Sequence, residues 1–330
     1  MSSRTIYIDP RWKNAGGIGT FYERINELNH YKKINFKGNP ASPLDTIRTS
    51  KEMLLKDNSV VFFPGYIPPL FSSIPYVFTV HDLNHLDRDD NSSFSKRIFY
   101  NTVIKKGCID SSFIFTVSEF SRGRIIEWSG VTPDKVINVG NGVSEEYTPQ
   151  GNLINFDFDF LLCVSNRKKH KNEAGVLNAF KTADIDKKIK LVFTGKPDEY
   201  IKSLIERLEL KDRVVFTGFL NAEELPKLYR SACALVFPSF YEGFGLPVIE
   251  AQASGLPVIT SSSTSLGEVS GGAAVLVDPY QIDEIAKGIE NILHDKNERF
   301  RLIDKGLLNA KNYTWERTAG LVDLYLKKIS

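Results

Sequence analysis

Short apolar, β-branched runs alternate with helical patterns along almost the whole 330-residue chain. In the first half the runs are Thr5–Asp9, Val60–Pro64, Tyr76–Val80, Phe113–Val117 and Val136–Val139. In the second they are Phe160–Ser165, Lys190–Thr194, Val214–Thr217, Cys233–Phe237, Pro257–Thr260 and Ala274–Val277. Between them lie helical stretches such as Ile18–Leu28, Phe94–Lys106, Arg122–Trp128, Asn172–Thr182, Ala222–Arg230 and Gln281–His294. A chain that switches period in this way folds as parallel strands covered by helices on both faces. Eleven runs are too many for one small doubly wound sheet, so two sheets are expected. The turn-rich segment Tyr147–Asn152 is the expected joint, giving domains 1–150 and 151–313.

The stretch Phe237-Pro238-Ser239-Phe240-Tyr241-Glu242-Gly243-Phe244-Gly245-Leu246-Pro247-Val248-Ile249-Glu250 reads as a strand end, a glycine-opened loop and a helix start. Gly243 and Gly245 let backbone approach a ligand without a side-chain clash. Pro247 suits the first helical position. The N–H groups from Gly245 to Val248 then face outward at a helix N-terminus, which is a site for a diphosphate. Glu242 stands before the helix, where it can reach a ligand's polar end. Glu250 lies in the first turns, leaning back toward the N-terminus, where it can accept bonds from ribose hydroxyls.

This pattern resembles the donor-site signature of retaining nucleotide-sugar glycosyltransferases, glycosyltransferase family 4, with two acids separated by seven residues. The resemblance spans nearly the whole chain, most strongly Phe160 to Pro279. It implies the GT-B fold: α/β, two Rossmann-like doubly wound domains facing across a cleft, with donor mainly on the second and acceptor mainly on the first. It further implies a last helix, Trp315–Lys328 within 314–330, that crosses back to the N-terminal domain.

Gly16-Gly17-Ile18-Gly19 follows the first run. By spacing it is either a plain strand-to-helix turn or a loop meeting a ligand; the resemblance places Gly16 and Gly17 at the donor. His81 ends the run Tyr76–Val80, at the edge where a parallel strand delivers side chains to substrate. A lone histidine is more often a structural hydrogen-bonder, but the match to Thr-Val-His-Asp implies contact with the donor sugar. His85, four residues on, offers a metal pair without a third ligand, so no zinc site is expected. Asp87-Arg88-Asp89-Asp90 reads as a polar loop and implies no magnesium.

Arg167-Lys168-Lys169-His170-Lys171-Asn172 is a cationic strand exit that charge alone leaves open between catalysis and a solvated loop. By resemblance Lys171 is the phosphate-binding lysine. Asn166 occupies the family's arginine place, five positions before it, and Arg167, one place later, is assigned the arginine role. Also by resemblance, Gly195, Lys196 and Phe219 line the base pocket, and Gly243, Phe244, Gly245 and Leu246 meet the donor. Phe94–Lys106 mixes apolar residues at helical spacing with four cations; it reads as a core-facing helix with snorkelling lysines, with a headgroup-dipping helix as the alternative.

Formal net charge is +2, and the residues before Gly151 carry 18 basic and 16 acidic side chains, so no nucleic-acid partner is expected. Three scattered cysteines without CxxC spacing suit a reducing cytoplasm. Neither a signal peptide nor a membrane-spanning run is evident. The expected activity is transfer of a hexose from a nucleotide diphosphate sugar to a saccharide or lipid-linked acceptor, without metal or other cofactor, in surface polysaccharide synthesis. By resemblance GDP-mannose leads as donor, ahead of dTDP-rhamnose and UDP-hexoses. The expected location is cytoplasmic, with peripheral contact at the inner membrane face. A nucleotide-sugar epimerase would need acid and base around the donor sugar, and the glycine-flanked Glu242 fits transfer better. A catalytically silent binding subunit is opposed by the joint presence of His81, Lys171, Glu242 and Glu250.

Overall fold

The computed structural model describes residues 4–54, 56–221 and 223–330. Two compact units emerge: residues up to Gly142 with Trp315–Ser330, and Val143–Thr314. The first holds β1 (Thr5–Ile8), β2 (Lys32–Lys33), β3 (Ser59–Phe63), β4 (Tyr76–Thr79), β5 (Phe113–Thr116) and β6 (Val136–Asn138). They pair in the order β2-β1-β3-β4-β5-β6, every neighbour parallel. The second holds β7 (Phe160–Cys163), β8 (Lys190–Phe193), β9 (Val214–Phe216), β10 (Ala234–Phe237), β11 (Val258–Ser261) and β12 (Val275–Val277). Their order is β12-β11-β10-β7-β8-β9, again all parallel.

The apolar runs form strands because both sheet faces are covered. Every residue of β3, β4, β7, β10 and β11 is buried. In the second unit Leu161, Leu191, Phe193 and Val236 meet Val176, Leu177 and Phe180 of the helix Glu173–Thr182. Ile285, Ile289 and Ile292 of Ile282–His294 complete the same core. Fully burying each such side chain contributes about 1.5–3 kcal/mol. The helix expected from Ala222 begins at Glu224, and Ala222 itself lies outside the described residues.

The chain enters the second unit at Val143, ahead of the expected joint at Tyr147–Asn152. Val143 donates its N–H to Tyr313 O at 3.0 Å and bridges Thr314. Arg230 donates to the carbonyls of Glu146, Thr148 and Asn152, so that turn-rich segment is stitched into the unit. The last helix, Trp315–Lys327, packs in the first unit: Asn29 Nδ2 donates to Ala319 O, and the Phe113 and Tyr325 rings meet at 5.1 Å.

The stretch after Ser93 is helix Phe94–Phe99, a π turn Tyr100–Ile104, then helix Lys105–Asp110. Its apolar residues divide between two sides. Tyr100 and Ile104 are buried, whereas Phe94 is 82% and Ile98 48% exposed, so the core-facing reading holds for only part of it. Among the described residues no helix is long and apolar enough to cross a membrane.

In the second sheet β7 and β10 are neighbours, and from them the order runs outward in opposite senses. Loops leaving the carboxyl ends of such a pair diverge and open a crevice, the place where doubly wound sheets hold ligands.

Candidate active site

The loop after β10 carries Glu242 and the glycines. Gly245 has φ +99° and caps the helix Leu246–Ala253, and a Cβ there would lie 2.4 Å from Leu266 Cδ2. Glycine is therefore required twice, for conformation and for space. Pro247 stands at the second helical position, one later than expected, because the helix opens at Leu246. Ser265 Oγ donates to the carbonyls of Glu242 and Phe244 at 2.9 and 3.0 Å, and Glu242 N–H donates to Thr264 Oγ1 at 3.3 Å. These bonds from the helix Thr264–Val269 fix the loop from below. The Phe244 side chain is buried against Tyr313 at 5.6 Å, so only its backbone can meet a donor.

The loop after β7 supplies the cations. Lys171 Nζ donates to Glu242 Oε1 at 2.7 Å and lies 4.9 Å from the Phe237 ring centroid. The two side chains are 14% and 12% exposed. Asn172, at φ +57°, caps Glu173–Thr182 by accepting from Gly175 N–H. Its Nδ2 donates to Pro238 O at 3.0 Å and Pro279 O at 2.7 Å. Phe240 N–H donates to His170 O. The two loops are thus one knitted edge, with the Lys171–Glu242 pair at its centre.

Arg167 is placed differently from the expectation of a phosphate-facing cation. Its Nε lies 3.0 Å from Glu173 Oε1, and Nη2 donates to Ser165 O and Thr194 O. Its guanidinium stacks near the Phe193 and Phe216 rings, at 5.3 and 5.5 Å. Burial pushes the Glu173 carboxyl up, while Ser165 and Arg167 pull it down. A guanidinium held by a carboxylate, two carbonyls and two rings braces the loop from inside. Asn166, at the family's arginine place, is exposed.

Glu250 Oε2 accepts from Tyr229 O–H at 2.7 Å. The residue keeps some accessible surface, but its carboxyl is enclosed. Burial pushes it up to about 7, against bonds from Tyr229 and Tyr147 and the field of Lys171. On the far side of β7, Gly195 and Gly218 exchange N–H···O bonds at 3.0 and 3.1 Å. Beside them Lys196 is exposed and Phe219 is 93% exposed, an aromatic face that packing within the unit leaves uncovered.

The remaining expected residues lie in the first unit. His81 Nε2 is 2.9 Å from Pro64 O. A carbonyl only accepts, so Nε2 carries the proton and Nδ1 is left as an acceptor. Burial lowers its pKa to about 4, against the Pro64 bond, so the ring is neutral near pH 7. His85 turns to Asn91 O and Lys96, not to His81. Gly16, at φ +57°, and Gly17 open the helix Gly16–Asn29, and a Cβ on either meets nothing within 4 Å. Packing within the unit therefore does not account for a glycine at Gly17.

The sequence reading missed Thr264, Ser265, Tyr147 and Tyr229, and missed the clamping role of Asn172. Each acts through a partner distant in sequence, which no local spacing reveals.

The family model for glycosyl transferases group 1 matches residues 144–308. The chain belongs to glycosyl transferases group 1. The match covers the entire knitted edge of this group 1 chain, from Tyr147 through Lys171 and Glu242 to Glu250. It is 29% identical over 254 residues to O-antigen chain mannosyltransferase B of Escherichia coli, covering 73% of this chain and 67% of that protein. It is 28% identical over 225 residues to the serotype-specific mannosyltransferase WbdA of the same organism, covering 63% of this chain and only 28% of WbdA's length. In fold the group 1 chain is similar to sucrose-phosphate synthase from Thermosynechococcus elongatus, with TM-score 0.80, 18% identity, and coverage of 99% and 98% of the two chains. That likeness places both units in the Rossmann-like architecture of GT-B enzymes.

Proposed function

We propose that this glycosyltransferase moves a hexose, with retention and without a metal, from a nucleotide diphosphate sugar to a saccharide acceptor of surface polysaccharide synthesis. The observation that carries it is the Lys171–Glu242 pair beside the Gly245 helix start, on the loops that leave the neighbouring strands β7 and β10. The N–H groups at that helix start and Lys171 would hold the diphosphate. Glu242 would bind sugar hydroxyls, Glu250 the ribose, Phe219 and the Gly195–Gly218 edge the base, and His81 Nδ1 a sugar hydroxyl. Arg167 would keep the Lys171 loop in place. In transfer the sugar C1–O bond breaks and its electron pair leaves on the diphosphate. The acceptor oxygen bonds C1 from the same face and gives its proton to the departing phosphate oxygen. Positive charge aimed at that developing anion is a large catalytic term.

GDP-mannose is the leading donor, supported by likeness to the two E. coli mannosyltransferases. A lipid-linked acceptor would be met in the cytoplasm at the membrane face, with Phe94 and Ile98 exposed beside Lys96 and Arg97. A thermal-shift panel of GDP-, UDP-, dTDP- and ADP-sugars tests the donor, since a ligand bound only by the native state raises Tm. GDP-mannose should give the largest shift, and Glu250→Ala should abolish it. A panel without any shift sinks the proposal.

A further inference from the structure

We infer that Tyr147 and Tyr229 are positioning residues that hold the Glu250 carboxylate on the ribose hydroxyls of a bound nucleotide sugar. The inference deepens the reading above and rests on it. Glu250 is a long side chain with several rotatable bonds, and fixing one conformation costs entropy that something must offset. Two phenols do so from outside its helix. Tyr229, on the helix Glu224–Ser231, is completely buried and donates to Oε2 at 2.7 Å. Tyr147, near the start of the second unit, also bonds the carboxylate, and its ring meets the Tyr229 ring edge-on at 5.5 Å. Each phenol thereby braces the other. A carboxylate offers about four acceptor positions, so two phenols leave capacity for two ribose hydroxyls.

The arrangement also sets the charge. The groups facing Glu250 are Tyr229, Tyr147 and Lys171. Burial drives the carboxyl toward its neutral form, and all three oppose this, leaving it at about 7. Protonation converts one oxygen from acceptor to donor, and the carboxyl can no longer accept from both phenols and both ribose hydroxyls. Without the phenols the ionised form is lost at higher pH.

The test is calorimetric titration of the full chain with GDP, UDP and ADP and with their 2′,3′-dideoxy forms, across about pH 5.5 to 9. The dideoxy forms carry the same phosphates, so their curves remove the phosphates' own titration. Wild type should bind the best ribonucleotide better as pH rises, with a midpoint near 7 that the dideoxy form lacks. Tyr229→Phe, Tyr147→Phe and the double variant should move that midpoint up, by about one pH unit or more for the double, and weaken binding about tenfold at pH 7. Transfer kcat at saturating donor should change less than about twofold, since the ribose contact is equal in ground and transition states. Glu250→Gln should remove the midpoint, and adding Tyr229→Phe to it should cost nothing more. Tyr229→Phe removes only an oxygen from a filled site, and Tyr147→Phe, half-buried, keeps the test valid if the former melts early. An unmoved midpoint in the double variant overturns the positioning role while leaving Glu250 on the ribose. Equal binding of ribo and dideoxy forms by wild type overturns the ribose contact itself. Binding of no nucleotide overturns both and the donor site with them.

Discussion

Lys171 carries a charge that Glu242 already neutralises at 2.7 Å, with both side chains mostly enclosed. On the proposed function, a diphosphate would have to compete with Glu242 for the same ammonium. Glu242 would then be released to sugar hydroxyls, so that one exchange would prepare both halves of the donor. Glu242→Gln should consequently bind inorganic pyrophosphate more tightly, by up to about tenfold, while transfer falls about a hundredfold or more. Titration of pyrophosphate and a transfer assay on one preparation decide it; equal loss in both would mean Glu242 only holds the loop. The glycines make a second contrast. Gly245→Ala meets Leu266 at 2.4 Å and a φ of +99°, and should lose about 1–3 kcal/mol of stability. Gly17→Ala meets nothing within 4 Å inside a helix, and should gain about 0.5–1 kcal/mol while transfer drops at least about tenfold. Melting curves beside activity separate them: a Gly17→Ala enzyme of unchanged activity would leave that glycine without a ligand.

The helix Glu173–Thr182 is held at its start by one residue that also ties three segments together. Asn172 caps the helix and donates to Pro238 O and Pro279 O, so it fixes the loops after β7, β10 and β12 against one another. Asn172→Ala removes the cap and leaves two buried carbonyls without that donor, at a cost of about 2–4 kcal/mol. Asn172→Asp keeps the cap but sets a carboxylate oxygen against those two buried carbonyls, and should cost at least as much as Asn172→Ala. Chemical denaturation of the three proteins should give that order. Coincident curves for wild type and Asn172→Ala would show the clamp to be dispensable. Helices and strands of this kind were largely legible in the sequence, because parallel strands covered on both faces must be continuously apolar. Every such run became a strand, its ends moved by one or two residues: most were trimmed, whereas β3 begins one residue earlier, at Ser59, and β11 ends one later, at Ser261. The strand β2 escaped because Lys32–Lys33 is a two-residue, exposed edge pair held by backbone bonds, with no apolar signature. In the site, Glu242, Glu250 and Lys171 were legible because glycines and a helix start sit beside them or because of family likeness. Tyr229 was not, since its bond to Glu250 spans 21 residues, and neither was the inward turn of Arg167, which depends on Glu173 and two distant aromatic rings.

His81 and Glu250 titrate in opposite senses. In the first unit, burial lowers His81 to about 4, below its unfolded value near 6.5. Between these values the unfolded chain binds the extra proton, so stability rises with pH and is complete above about 6.5. In the second unit, burial raises Glu250 to about 7, above its unfolded value near 4.5, and Glu173 is raised by the same cause. There the folded chain holds the extra proton, so stability is complete below about 4.5 and falls as pH climbs through 7. From about pH 4.5 to 6.5 the slopes oppose each other, each site contributing at most about 1.4 kcal/mol per pH unit. Calorimetric melting of wild type across that window should therefore show a weak net dependence. Glu250→Gln should make Tm climb more steeply with pH, and His81→Gln should tilt the same curve downward. Each variant keeps a polar side chain of similar size, so a change of slope reports the missing proton, not lost packing. Unchanged slopes in both variants would mean that neither group is buried, and an enclosed Glu250 carboxyl would then be ruled out.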